Sequence, residues 1–223
     1  MPQGDIQRTE DLPAVIPVFP LDGALLLPRA FLPLQIFEPR YLNMIDDALA
    51  GSHIIGMIQT IPGGEPARPH LAGVGCAGRV TGYSETSDGR YLITLTGVCR
   101  FHVVQELSAT TPYRQVRPNF QAFARDMETG TDELEFDRTS LLVTLRNYLD
   151  VHQLGVDWEA VNAAPSFSLV DSLCMALPFS REEKQALIEA KTFEDRRLAL
   201  AALLQIGAAW SKWADDDPSV SIQ

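Results

Sequence analysis

Four histidines, three cysteines and a few adjacent carboxylates are the side chains in this 223-residue chain best equipped for catalysis or metal binding. His53, His70, His102 and His152 stand at no metal-ligand spacing, and neither HExxH nor GxSxG occurs. They read as surface or structural histidines. Cys76, Cys99 and Cys174 are far apart with no CxxC pair, so neither a zinc knuckle nor a disulfide framework follows from them. Cys76 and Cys99 fall in β-type runs, where burial would raise the thiol pKa, and they read as inert apolar thiols in a reducing compartment. Asp46 with Asp47, and Glu182 with Glu183, are neighbours one apart on helical stretches; such side chains point in different directions and cannot share one proton. They read as solvated faces or cap positions, and Asp215, Asp216 and Asp217 as a solvated end. No GxxxxGK[ST] phosphate cradle is present. Nucleophile, base and orienting group cannot be assembled from these residues. The chain reads as a non-enzyme that needs no cofactor or metal.

Binding chemistry is the remaining class. Arg100, Phe101, His102, Tyr113, Arg114 and Arg117 interleave arginine with aromatic residues, a mixture that stacks on bases in some proteins. The same pattern arises when the aromatics are core and the arginines their solvent-facing alternates. The net charge of −11 argues against nucleic acid and anionic lipid as partners, since both are drawn by Lys and Arg. That charge is uneven: residues 1–125 hold 11 acids against 10 arginines, and residues 126–223 hold 18 acids against 8 bases. An RNA-binding or small-ligand module is therefore the alternative reading. The stronger signal is apolar. In FPLDGALLLPRAFLPLQIFEPRY, residues 19–41, Leu25, Leu26 and Leu27 cannot all face one side of a strand. Pro28, Pro33 and Pro39 remove backbone donors and hold the chain extended. Leu25, Leu26, Leu27, Phe31 and Leu32 are thus candidates for an apolar ridge that seats a peptide, or else for the seam that closes a barrel.

The surrounding elements are strands first and helices after. Up to about residue 123 the apolar residues come in short runs broken by Gly and Pro: 15–20, 32–37, 54–60, 73–86, 90–97 and 98–107 read as strands. Ser87-Asp88-Gly89 marks a hairpin. One short helix is inserted, with Tyr41, Leu42, Ile45 and Leu49 at helical spacing, Pro39 near its start and Gly51 past its end. After an acidic joint at 127–138, four helical stretches follow: one through Leu134, Leu141, Leu145 and Leu149, one over 168–177, and a capped pair headed by Ser180 with Glu183 and by Thr192 with Asp195. Trp210 and Trp213 near the end are candidates for an oligomer contact or, the favoured reading, for packing against their own bundle. The expected division is 1–125, β-rich, and 126–223, helical. No apolar run reaches the roughly 20 residues of a membrane helix, and no secretory leader is seen, so a cytoplasmic protein is expected.

The segment IPVFPLDGALLLPRAFLPLQIFEPRYLNMIDDAL resembles the opening signature of the Lon N-terminal domain family, the substrate-binding domain at the front of ATP-dependent Lon proteases. GRVTGYSETSDGRYLITLTGVCRFHVVQEL with PYRQVRP, and EEKQALIEAKTFEDRRLALAALL, resemble its hairpin, following strand and closing helices in the same order. The resemblance implies an α+β fold: a PUA-like pseudo-barrel with an inserted short helix, then a helical bundle. It implies a non-catalytic module that recognises unfolded or apolar protein segments, in association with a protease or chaperone. The ATPase and Ser–Lys protease parts of a full Lon are not matched, so a stand-alone member is expected. It also implies an architectural role for Glu38, Arg40 and Tyr41, the two charges tying the strand to the helix entrance while Tyr41 packs inward.

Overall fold

The computed structural model describes residues 6–65, 68–128 and 137–216, with side chains of the last helix described to residue 209. Residues 129–136 of the acidic joint, including Leu134, the side chains of Trp210 and Trp213, and the tail from Asp217 lie outside these. The described residues divide into two compact units. The first holds everything to residue 128 together with Leu177–Glu189; the second holds 137–176 and 190–216.

In the first unit, β1 (Ile16–Pro20), β2 (Phe31–Ile36), α1 (Pro39–Ala50), β3 (Ile54–Glu65), β4 (Arg68–Glu85), β5 (Tyr91–Leu107) and β6 (Arg114–Asn119) follow in order. β1 pairs parallel with β3 and antiparallel with β6, while β3–β4, β4–β5 and β5–β6 are antiparallel, so five strands close into a ring. The two runs expected at 90–97 and 98–107 are one continuous strand, β5. Its length lets it serve two neighbours along one edge: β2 pairs with Tyr91–Thr96 and β6 with His102–Leu107. Among the described residues β2 has no other strand partner, and it is an edge strand of the sheet. Phe101 fills the ring's interior; a Cβ on Gly56 would stand 2.9 Å from its Cζ and 3.0 Å from Ile16 Cδ1, so the interior is filled to contact.

α1 starts with Pro39 at its first turn and ends at Gly51, and buries Tyr41, Met44, Ile45 and Ala48. The buried stripe runs through Met44 and Ala48, with Leu42 and Leu49 at its half-covered flanks. Asp46 and Asp47, expected as solvated or capping residues, are exposed, and each also accepts a phenol: Tyr91 Oη donates to Asp46 at 3.0 Å and Tyr113 Oη to Asp47 at 2.5 Å. Because they diverge, one carboxylate reaches β5 and the other the residue just before β6.

A single cut at residue 125 differs from this division in one helix. α5 (Arg181–Glu189), capped reciprocally by Ser180 and Glu183, counts with the strands. Polar bonds explain why: Lys184 Nζ donates to Gly23 O at 2.6 Å, Gln59 Nε2 to Arg181 O at 3.1 Å, Gln185 Nε2 to Val74 O at 3.2 Å and Arg100 Nη1 to Ile188 O at 3.0 Å. Burial lowers the Lys184 pKa, so its charge is held against desolvation by that carbonyl.

The second unit contains α2 (Arg138–Val151), α3 (Trp158–Ala163), α4 (Ser166–Ala176) and α6 (Phe193–Asp216). Asp137 caps α2 and Asp157 caps α3, the latter a helix the apolar spacing did not announce. Leu141, Leu145, Tyr148, Leu149, Leu169, Val170, Leu200 and Leu204 are buried, and the Arg196–Asp171 pair at 2.8 Å lies buried with them. Thr192 and Asp195 cap α6 reciprocally.

Candidate functional site

The leucine–proline segment splits in two. Leu25, Leu26 and Leu27 are 3%, 1% and 0% exposed. They are seam residues, and their assignment as peptide-contacting residues is corrected: no ligand reaches a side chain the barrel already covers. The seam is tight at one point, since a Cβ on Gly97 of β5 would lie 2.0 Å from Leu27 O. Leu27-Pro28-Arg29-Ala30 then reverses the chain, with Ala30 N donating to Leu27 O at 3.1 Å. Pro at the second position and Arg29 at φ 66° in the third match a type II turn. Arg29 N donates to Gly97 O and Gly97 N to Ala30 O, so two residues face one, a bulge of the kind usually led by glycine.

That bulge sets the register of β2. Pairing Ala30 with Gly97 turns the backbone groups of Leu32, Leu34 and Ile36 toward β5 and those of Phe31, Pro33 and Gln35 toward the free edge. Pro33 therefore costs no ladder bond with β5. Side chains alternate likewise. Three rungs cross the outer face of β2, β5 and β4: Phe31–Thr96–Arg79, Pro33–Thr94–Gly82 and Gln35–Leu92–Ser84. Phe31 is 69% exposed and Leu92 44%, and Phe37, immediately after β2, is 62% exposed. Gly82 has no side chain to fill the middle rung, and a groove of about 500 Å³ opens there between Pro33, Gln35, Leu92, Thr94 and Ser84. Leu32 and Leu34, on the core-facing side, are half-buried, whereas Ile93 and Leu95 opposite them are fully covered. Of the five candidate contact residues, Phe31 and Leu32 are placed where a ligand can touch them. Leu92, Phe37 and Gly82 were not singled out from sequence; the two-residue alternation through 90–97 held the signal for Leu92.

Glu38 and Arg40 form an exposed ion pair at 2.7 Å in the link between β2 and α1. Tyr41 is buried with its ring 4.3 Å from Phe19. The arginine–aromatic set is mostly structural. Arg100 is 3% exposed and bonded through Nε and Nη2 to Asp126 at 2.8 Å each, Phe101 is interior, and buried Tyr113 is bonded to Asp47, its phenol pushed up to about 12 chiefly by desolvation. Arg114 is held by Glu106, and exposed His102 stacks on Phe123. Arg117 alone of the three arginines is exposed. Cys76, Cys99 and Cys174 are buried, and desolvation raises all three thiols, Cys99 to about 12. Among the described residues no group of three His, Cys, Asp or Glu is placed to hold a metal ion, and no helix is long and apolar enough to cross a membrane.

The chain is similar to the Lon protease of Dictyoglomus thermophilum, 27% identical over 207 residues that cover 88% of this chain and 25% of that protein. It is 31% identical over 110 residues to the Lon protease of Anaeromyxobacter dehalogenans, covering 48% of this chain and 13% of the other. The chain thus spans about a quarter or less of these relatives. Two solved structures share its fold: a Lon N-terminal domain protein from Xanthomonas campestris, TM-score 0.59 at 20% identity, covering 84% of this chain and 97% of the other, and the N-terminal domain of Mycobacterium avium complex Lon protease, TM-score 0.57 at 17% identity, covering 85% and 97%. Residues 15–205 match the ATP-dependent protease La (LON) substrate-binding domain, and with the barrel, its inserted helix and the helices that follow they place this chain in that family.

Proposed function

We propose that this protein is a non-catalytic module that binds unfolded or apolar polypeptide segments and delivers them to proteolysis, and that the outer face of β2, β5 and β4 is where they bind. The observation that carries the reading is the run of exposed apolar side chains, Phe31, Leu92 and Phe37, beside the groove left open by Gly82. Large apolar side chains left in water on a rigid sheet gain about 1.5–3 kcal/mol each on being covered, and a sheet needs little ordering on contact. Family membership supports substrate binding as the general role. The burial of Arg100, Phe101 and Tyr113 removes three of the six residues of the arginine–aromatic set from the reach of a base.

Fluorescence anisotropy with a labelled, permanently unfolded carboxymethylated protein, and with its folded form, tests this. The unfolded form binds and the folded form does not; binding survives a rise in salt; and Phe31→Ser weakens it roughly tenfold. Absence of binding to the unfolded form, or affinity that falls steeply with salt as phosphate contacts require, overturns the reading.

A further inference from the structure

We propose that the free edge of β2 takes an extended polypeptide segment as an added β-strand, so that recognition runs through the backbone as well as through apolar side chains. This rests on the polypeptide-binding reading above and specifies how the segment is held. Among the described residues, no hydrogen bond reaches the edge-facing groups of Phe31, Pro33 and Gln35, which leaves two N–H donors and three carbonyl acceptors in a row. An extended backbone is the ligand that matches alternating donors and acceptors at strand spacing.

A further feature points to the same occupant. Leu32 and Leu34 face the core side yet are half-buried, as expected of the last strand in a sheet that lacks its neighbour. An added strand would cover them on one face and flank Phe31 on the other, so apolar residues are favoured on both sides of the segment.

Pro33 decides against a second copy of this chain. Two β2 edges paired antiparallel with Phe31 against Gln35 would set Pro33 opposite Pro33, and neither offers an N–H to the other's carbonyl. A foreign segment with an ordinary residue at that position donates to Pro33 O. The edge thus remains open to extended substrates while self-pairing is discouraged.

The test uses a labelled eight-residue peptide of alternating valine and threonine, in three forms: unmodified, and N-methylated on either alternating set of backbone nitrogens. One methylated set should bind roughly tenfold more weakly, since it blocks the ladder bonds, and the other should bind as the parent does. Gln35→Pro, which removes an edge N–H without touching the β5 ladder, should weaken the parent peptide by a similar factor; if this variant does not fold, the methylated pair on the unaltered protein still decides. If both methylated sets bind like the parent while Phe31→Ser weakens all three, strand addition is overturned and the polypeptide-binding reading stands. If neither the peptides nor an unfolded protein bind, both fall. If the protein is a dimer that Gln35→Pro dissociates and the peptides do not bind, the edge belongs to a second copy and the proposal is overturned.

Discussion

Leu25 to Leu27 and Phe31 to Phe37 are adjacent in sequence and alike in composition, yet the first three residues are buried and the second stretch keeps two phenylalanines more than 60% exposed. Between them lies one turn, with Pro28 at its second position and Arg29 forced into the left-handed region. Before the turn the chain runs across the barrel wall and meets backbone closely enough to require Gly97. After it, the chain has a neighbouring strand on one side alone. Exposure of an apolar residue here is set by how many strands flank it, and its own hydrophobicity says little about that.

The largest effect that would break this comparison is Gly97→Ala. The new Cβ would meet a backbone carbonyl at 2.0 Å, so the seam must part from β5, and a loss above about 4 kcal/mol or failure to fold is expected in urea denaturation. Leu26→Ala leaves a cavity in the covered half and should cost about 2–5 kcal/mol in the same measurement, with peptide affinity of the folded fraction unchanged. Arg29→Val puts a β-branched residue at φ 66° and should cost about 1–3 kcal/mol, because the turn that separates the two halves is strained by it. Phe31→Ser is the converse: stability within about 0.5 kcal/mol of the parent, with unfolded-protein binding weakened. Equal destabilisation by Leu26→Ala and Phe31→Ser would erase the distinction between seam and edge.

The smallest effect concerns the other half of β5's shared edge. Hydrogen bonds, first from Arg114 and then from Arg68, hold the Glu106 carboxyl below its ordinary value of 4.5. A carboxylate depressed in the folded state contributes stability above its unfolded pKa and loses it as pH falls through the folded one. Amide exchange along β6 and its stretch of β5 should therefore rise as pH drops below that range, after correction for the intrinsic rate, while β2 and its stretch do not respond. Glu106→Gln should remove the pH dependence.

Much of the architecture was legible locally. Pro39 and Gly51 bracket α1, Gly89 at φ 77° turns the β4–β5 hairpin, and the reciprocal caps at Ser180 and Thr192 start α5 and α6 as spaced. These signals depend on a residue's own backbone or on a partner three residues away. In the proposed site, nothing local separates Phe31 and Leu32 from Leu25, Leu26 and Leu27. α5 has the same helical pattern as its neighbours in sequence, whereas Lys184, Gln185 and Arg181 bond to carbonyls and side chains of the strand unit more than 100 residues away in sequence.

By itself, then, the sequence determined the order of a strand-rich part and a helical part, the heads of the capped helices, the absence of the common catalytic and nucleotide motifs, and the family likeness, since all of these reside in spacing and order along the chain. Which leucines are covered, which strand stands at the edge, why Asp46 and Asp47 accept from two distant tyrosines, and why Arg100 is a buried anchor to Asp126 were decided by the tertiary structure. Those properties depend on neighbours that sequence distance does not reveal, and burial and hydrogen bonding are energies of neighbours.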